Sequence, residues 1–286
     1  MSECLIIGLG GIGRWHAKSF SSYGYQVSYI DPAVDTHEYQ RETSISAFGG
    51  SIIVISTTAS HRWHYIELIE RHHIGVTVVL EKPMFTSSAQ HDQFGFLPKK
   101  NHYLLNLPFE RHVDELLRQE LIQPPIKVTS TGNSWGLACN LLHDLSLIGA
   151  FYDELPEVQN IAVLDLSLRD SKRRGYLEVI GGLQFQVGRT IFHLTDSGLS
   201  GPEKKTILEF AECSYELDFF NETCKRIVGT LVVDQWFVEA PKASAVSAIN
   251  TISRKIPNAE KYLQHSNVIY NAISTNLGLA NDYPFT

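Results

Sequence analysis

The chain has 286 residues, of which 43% are hydrophobic and 19% are charged, and its formal net charge is −7 at pH 7. This length suffices for two domains of ordinary size, and the negative charge argues against nucleic acid or an anionic membrane as a partner. No apolar run approaches the ~20 residues of a membrane span, and no segment resembles a signal peptide. The four cysteines are widely spaced and lack a CxxC pair, which favours reduced thiols and a cytoplasmic location.

The first predicted element is a buried strand at residues 4–7, which runs into the motif Gly8-x-Gly10-x-x-Gly13 and then into a helix at 12–22. Strand, tight glycine turn and helix are the context that a dinucleotide fingerprint requires. Gly8 permits the turn, Gly10 lets the backbone approach a pyrophosphate, and Gly13 lets the helix pack on the strand. The helix N-terminus then offers free N–H groups to the phosphates.

A second strand is predicted at residues 26–30, and Asp31 stands at its C-terminal end. The distance from the glycine motif is close to the roughly 20 residues expected for the carboxylate that binds the adenosine ribose. Asp31-Pro32 could alternatively be a simple turn opener. An acid here, with no arginine directly after it, predicts NAD rather than NADP.

A third strand is predicted at residues 51–55, followed by the hydroxyl residues Ser56, Thr57 and Thr58. At the C-terminal edge of a parallel sheet such side chains can contact the nicotinamide ribose or the pyrophosphate. They could equally form an N-cap cluster, with Ser60 capping the next helix.

The next helix is predicted at residues 61–73, with Ile66 and Ile69 facing inward and Arg62 and Glu70 facing outward. Within it, His61 and His64 are spaced like metal ligands on a helix. No third ligand follows at a sensible spacing, so no metal site is predicted.

A fourth strand at residues 76–80 ends in Glu81-Lys82-Pro83. Together, the segments GLGGIGRWH, STTASHRWH and VVLEKP resemble the Gfo/Idh/MocA oxidoreductases, named for glucose–fructose oxidoreductase and inositol dehydrogenase. The resemblance implies that Lys82 hydrogen-bonds the reacting hydroxyl and that Pro83, often cis, brings backbone close to the nicotinamide. An ammonium beside an alcohol oxygen stabilises developing alkoxide charge. The alternative is a solvated surface lysine.

The segment of residues 84–100 is short and polar, whereas the resemblance implies a fuller helix there. A fifth strand is predicted at 102–106. Asn106 and Phe109 match the Asn-x-Arg-Phe of many family members, but Pro108 replaces the arginine. A helix follows at 111–120, and the first domain is predicted to end at residue 124.

The second domain is predicted to open with a strand at 126–131, a turn and a helix at 139–149. The resembling family carries Asp-x-x-x-His on this helix, with the histidine as general acid or base. His143 matches that histidine, whereas Cys139 replaces the aspartate. Asn140 can share the face of His143 and orient a ligand or the imidazole. The alternative for His143 is a hydrogen-bonded core histidine.

Strands predicted at 162–168, 183–187, 191–194 and 215–219, without intervening helices, indicate an antiparallel or mixed sheet. Helices are predicted at 245–254 and 259–277, and they could return to cover the sheet or the first domain. The predicted fold is α/β: an N-terminal Rossmann doubly wound parallel sheet in residues 1–124, then an α+β domain with a large open mixed or antiparallel sheet in 125–286. In the resembling family the open sheet face often forms a dimer, so a homo-oligomer is expected.

The predicted function is an NAD(P)-dependent oxidoreductase that moves a hydride between the nicotinamide and a secondary alcohol or ketone of a sugar, cyclitol or nucleotide sugar. The alternative is a catalytically weak dinucleotide-binding sensor, suggested by Cys139 and Pro108. Lys82 and His143 are the predicted catalytic residues. The predicted cofactor contacts are Gly8, Gly10, Gly11, Ile12, Gly13, Asp31, Ser56, Thr57, Thr58, His61, Glu81, Lys82 and Pro83. The predicted substrate contacts are His16, Asn106, Trp135 and Asn140.

Overall fold

The structure is a computed structural model, and it describes residues 2–107, 123–171, 174–201, 203–218, 221–237, 259–280 and 282–285. Pro108, Phe109 and the helices predicted at 111–120 and 245–254 lie outside the described residues.

The chain divides into two compact units. The first unit comprises Met1–Pro108 with Ala243–Leu263, and the second comprises Phe109–Lys242 with Gln264–Thr286. The domain boundary at residue 124 stays a prediction.

Parallel strands and the helices between them build the described part of the first unit. The elements are β1 (Glu3–Ile7), α1 (Gly11–Ser22), β2 (Gln26–Ile30), β3 (Gln40–Arg41), β4 (Ile52–Ile55), α2 (Ala59–His72), β5 (Thr77–Leu80), α3 (Ser88–Phe96) and β6 (His102–Leu105), with a 3₁₀ turn at Ile45–Ala47.

The six strands lie in the order β3-β2-β1-β4-β5-β6 and every neighbouring pair is parallel. β1 and β4 are almost wholly buried, as expected for a sheet covered on both faces. The strand order reverses between β1 and β4, which makes their C-terminal ends the switch point where such sheets bind ligands.

Two details of the first unit correct the sequence analysis. The N-cap of α2 is Thr58 and not Ser60, which lies inside the helix. Arg62 and Glu70 do not face outward: they are only 3% and 7% exposed. Both lie on the face of α2 that packs inward with Ala59, Ile66 and Ile69.

The second unit contains a large mixed sheet. Its elements are β7 (Lys127–Asn133), α4 (Leu137–Ser146), a 3₁₀ turn (Gly149–Phe151), β8 (Val158–Asp170), β9 (Leu177–Val187), β10 (Thr190–Asp196), β11 (Glu203–Glu209), β12 (Ser214–Asp218), β13 (Thr223–Val228) and β14 (Leu231–Phe237). The strand order is β14-β13-β12-β11-β7-β10-β9-β8. Within this sheet, only the pair β7–β10 is parallel among the described strands.

Helix α4 packs on β9 and β10, where the rings of Phe185 and Phe192 stack 4.6 Å apart and are buried. The last described helix, α5 (Ala259–Leu277), matches its predicted bounds. The predicted fold class, a parallel Rossmann sheet followed by a large mixed sheet, is confirmed. Within the described residues, no helix is both long and apolar enough to cross a membrane.

Candidate functional site

The glycine loop between β1 and α1 can be built only with glycine at two of its positions. Gly8 has φ +90°, and a Cβ there would lie 3.0 Å from the backbone nitrogen of Thr57. A Cβ on Gly13 would lie 1.9 Å from the carbonyl oxygen of Gly8. Helix α1 therefore approaches the end of β1 as closely as the motif predicts.

The other glycines of the loop face open space. A Cβ on Gly10 or Gly11 would meet no atom within 4 Å. Helix α1 begins here with no side-chain cap and no acidic residue in its first turn, which contains Gly11 and Ile12. Its free N–H groups and positive dipole end are therefore available to an anion.

Asp31 is tied to this loop by its side chain. Its Oδ2 accepts a hydrogen bond from the backbone N–H of Leu9 at 2.6 Å, and its Oδ1 accepts one from Ala33 at 2.8 Å. The turn-opening role and the loop-holding role thus coexist, and each carboxylate oxygen retains a further lone pair for a ligand. The guanidinium of Arg41 lies 3.4 Å from the backbone oxygen of Asp31.

The hydroxyl residues after β4 differ in their contacts. Ser56 donates to the carbonyl of Gly8 at 2.6 Å, so its hydroxyl supports the loop. Thr58 Oγ1 lies 2.8 Å from Nδ1 of His61 near the surface. Thr57 Oγ1 is buried and has no hydrogen-bond partner among the described residues. A buried hydroxyl in this position is a group that a ligand can satisfy.

Glu81, after β5, is the centre of a buried polar cluster. Its Oε1 accepts from Nε2 of His16 at 2.7 Å and from Nδ2 of Asn106 at 2.7 Å. Burial alone would raise the pKa of the Glu81 carboxyl, but the bonds from His16 and Asn106 and the charge of Arg62 outweigh burial and lower it. Glu81 is therefore an ionised carboxylate inside the protein.

The same cluster contains two of the predicted substrate contacts. His16 is fully buried and Asn106 is 1% exposed, and both side chains hold Glu81. This placement favours support of the Glu81-Lys82-Pro83 segment over direct contact with a substrate. Oδ1 of Asn106 is buried without a hydrogen-bond partner among the described residues.

Arg62 is a functional candidate that the sequence analysis missed. Its guanidinium donates to the carbonyls of Glu81 and Pro83, and at 2.9 Å to the carbonyl of Thr57. The Lys82–Pro83 peptide bond between the two held carbonyls is cis. Helical spacing was the available signal, since Arg62 falls three residues after Ala59 and four before Ile66 on one face.

In the second unit, His143 is half-buried on α4, one turn after the buried Cys139. Asn140 donates its side-chain amide to the carbonyl of Trp135, which occupies one of its donors. The indole N–H of Trp135 in turn donates to Thr195 O at 2.9 Å, and the side chain is buried. Both expected substrate contacts of this unit thus help to fix the turn that precedes α4.

A buried ion pair lies beside this helix. Lys204 Nζ is 2.6 Å from Oδ1 of Asp144, which also accepts from Ser130 at 2.6 Å. The ammonium stands 4.2 Å from the centre of the Trp135 ring. Lys204 was not predicted because two adjacent lysines obscure the alternation of β11, in which Lys204 shares its buried face with Thr206.

No family model matches the sequence, and no curated protein matches it significantly. Solved structures do match its fold. One is the UDP-N-acetylglucosamine 3-dehydrogenase of Acidithiobacillus ferrooxidans, with TM-score 0.71, 17% identity, and coverage of 97% of each chain.

Two others share the fold at similar extent. A Gfo/Idh/MocA family oxidoreductase from Vibrio cholerae has TM-score 0.65 and 12% identity, covering 97% of this chain and 100% of that one. The biliverdin reductase of Synechocystis, solved with biliverdin and NADP⁺, has TM-score 0.66 and 16% identity, covering 96% and 98%. The chain therefore shares the fold of these solved structures over nearly its whole length.

Proposed function

We propose that the protein is a nicotinamide-dinucleotide-dependent oxidoreductase that interconverts a secondary alcohol and a ketone on a sugar, cyclitol or nucleotide sugar. The observation that carries the proposal is the edge of the first sheet. A helix start without a side-chain cap lies there, beside a glycine loop that is closed at Gly13 and open at Gly10. The buried Thr57 hydroxyl, which no described residue hydrogen-bonds, follows it in the chain, and Lys82 comes next. The related fold of known dehydrogenases and reductases supports it.

The residues at this edge fit a dinucleotide. The N–H groups at the start of α1 would hold the pyrophosphate, and Asp31 would accept from the ribose hydroxyls. Thr57 would supply a further hydrogen bond, while Ser56 keeps the loop in shape. A bound nicotinamide would supply the hydride acceptor for oxidation of the alcohol and the hydride donor for reduction of the ketone.

We propose NAD as the cofactor, because the carboxylate of Asp31 would repel a 2′-phosphate. Arg41, which lies beside the backbone of Asp31, is a nearby cation that favours a phosphate. Calorimetric titration with NAD and NADP should give the tighter binding for NAD. Asp31→Asn should narrow the difference, whereas tighter binding of NADP by the native protein would contradict the assignment.

Lys82 is proposed to donate a hydrogen bond to the reacting oxygen and to stabilise the alkoxide that develops as the hydroxyl proton is removed. His143 is proposed to take the hydroxyl proton during oxidation and to return it during reduction. The C–H electron pair then leaves with the hydride, the O–H pair becomes the second bond of the carbonyl, and the proton is on the imidazole.

The test is a screen of sugars, cyclitols and nucleotide sugars for reduction of NAD, with the oxidation of NADH by biliverdin as a comparison reaction. Lys82→Met and His143→Gln should each lower kcat by about a hundredfold or more while the protein stays folded. Lys18→Met removes an exposed lysine from the same unit and should leave kcat unchanged. Turnover that survives Lys82→Met would refute the role of that lysine.

Cys139 favours a second candidate, a dinucleotide sensor. A carboxylate beside a catalytic histidine fixes its tautomer and supports the imidazolium, and at this position the chain has a buried thiol instead. Tight NAD binding by calorimetry, without product from any screened substrate, would support the sensor over the enzyme.

A further inference from the structure

Arg62 joins two loops at the edge of the first sheet. Its side chain, 3% exposed, donates from one nitrogen to the carbonyls of Glu81 and Pro83 and from the other to Thr57 at 2.9 Å. The loop after β4 and the segment after β5 are thereby held by one guanidinium. A planar group with five donors can reach carbonyls on several sides at once, which an ammonium cannot do from one position.

Lys82 lies between the two carbonyls that Arg62 holds. The side-chain carboxylate of Glu81, the residue before Lys82, is in turn fixed by His16 from α1 and by Asn106 after β6. Backbone on both sides of Lys82 is thus anchored by contacts from several elements, whereas its own side chain is only half-buried. These contacts fix the backbone from which the Lys82 side chain extends.

We propose that Arg62 is a positioning residue for Lys82: it sets the backbone carbonyls that flank the lysine, and so aims the ammonium at the reacting oxygen. The inference rests on the proposed function, because it gives Lys82 a reacting oxygen to meet. A displacement of about 1 Å at such a group can cost on the order of a hundredfold in rate. Arg62 should therefore act on kcat more than on cofactor affinity.

The test compares Arg62→Lys with Glu70→Gln, a control on the same helix. Glu70 is also buried, and its carboxylate accepts from Lys100 N, Asn101 and Tyr103 at 2.8 to 2.9 Å, away from the Lys82 segment. Arg62→Lys should lower kcat at least about tenfold with a change in the NAD dissociation constant below about threefold. Glu70→Gln should lower the melting temperature and leave kcat unchanged.

Arg62→Ala adds an independent measurement if Arg62→Lys folds poorly. Methylguanidinium at millimolar concentration should restore part of the lost kcat of this variant, because it can occupy the vacated position between the carbonyls. Methylammonium carries the same charge without the planar fork and should not. Equal rescue by both ions, or by neither in a folded variant, would contradict the positioning role.

A reporter on Lys82 separates this proposal from the proposed function. Reductive methylation with ¹³C-formaldehyde labels the lysines, and Lys82→Arg assigns the signal of Lys82 by its absence. That signal should move in the Arg62 variants and stay in place in Glu70→Gln. If it does so in a protein that turns over no substrate, the positioning role stands and the oxidoreductase falls. If substrate is turned over while kcat and the Lys82 signal of Arg62→Lys match the native protein, the positioning role falls.

Discussion

At the scale of single residues, Gly13 is the position of the glycine loop that has the least room for a side chain. Its missing Cβ would lie 1.9 Å from a backbone oxygen of Gly8 and 2.8 Å from Ser56 Oγ. Because backbone cannot yield like the end of a flexible side chain, Gly13→Ala should push α1 away from β1. We expect a loss of ~2 kcal/mol or more in the free energy of unfolding, measured by urea denaturation.

The control for this prediction is Gly49→Ala. A Cβ at Gly49 meets nothing within 4 Å, and the residue is exposed. Its effect should stay within about 0.5 kcal/mol. Gly13→Ala should also weaken NAD binding, since the loop it distorts is the proposed pyrophosphate site. Unchanged stability and affinity in Gly13→Ala would show that the loop is more plastic than its geometry indicates.

Cys139 allows a prediction about His143. An aspartate one helical turn before the histidine would favour the charged imidazole and raise its pKa. The histidine must be neutral to take a proton, so activity in alcohol oxidation rises with pH as the histidine loses its own proton. Cys139→Asp should therefore shift this acidic limb of the pH profile to higher pH. The pH profile of kcat/KM measures this. Cys139→Asn, of similar size but uncharged, should not shift the profile, and a shift equal to that of Cys139→Asp would exclude the charge as its cause.

At the scale of elements, the strands of the first unit could be predicted from sequence and several other features could not. β1 and β4 are mainly apolar runs that end at glycine and serine, and β2 is a mostly apolar run, interrupted by Ser28, that ends at aspartate. Their positions therefore follow from the local sequence. β3 is two polar residues long and carries no pattern. Helix α3 lies in a polar stretch without a clear helical pattern. Its N-cap is Ser87, whose side chain accepts a hydrogen bond from the N–H of Gln90 at 3.3 Å.

The candidate site shows the same division. Its glycine loop, Asp31 and the segment at Lys82 are contiguous motifs, and sequence alone placed them at one sheet edge. Arg62 was assigned to the solvent face because a charge usually lies there. The carbonyls that accept its hydrogen bonds and so offset the cost of burying its charge belong to residues about 20 positions later in the chain. No local sequence pattern can reveal such partners. The same holds for Asp144, whose partner Lys204 lies on β11.

Helix α3 carries a pH-dependent element in His91. Burial lowers the pKa of His91 to about 4, against the weaker opposing effects of its bond to Ser87 O and of Asp92. Because the unfolded chain takes up this proton near pH 6.5 and the folded chain only near 4, stability should fall as pH drops through this window. The loss attributable to His91 is about 3 kcal/mol.

His91→Phe keeps a ring beside Phe85, 5.2 Å away in the native protein, and removes the titrating group. Urea denaturation between pH 7.5 and 4 should then show a smaller decline than in the native protein. At pH 7.5 the variant should lose the contribution of the bond to Ser87 O, about 1 kcal/mol. Parallel curves for the two proteins would mean that other groups produce the pH dependence.

At the scale of the whole molecule, the predicted cofactor contacts all lie in the first unit. Trp15 and Trp63 report on that unit, and Trp135 and Trp236 report on the second. Two double Trp→Phe variants, each keeping one pair, let fluorescence follow the unfolding of each unit separately. NAD at roughly 100 times its dissociation constant should stabilise whatever it binds by about 2.7 kcal/mol.

The transition of the first unit should therefore shift to higher urea with NAD, and adenosine alone should shift it less because it lacks the pyrophosphate that the start of α1 would hold. If the transition of the second unit shifts equally, the two units unfold as one cooperative block, and NAD stabilises the unit that contains His143 as well. If only the first unit shifts, the second unit gains nothing from NAD alone. Adding the substrate found in the screen should then stabilise it through its own residues, since only ligands that contact the folded state can do so. If NAD does not shift the transition of the first unit, the proposed cofactor site is refuted, and with it the catalytic roles of Lys82 and His143 that depend on it.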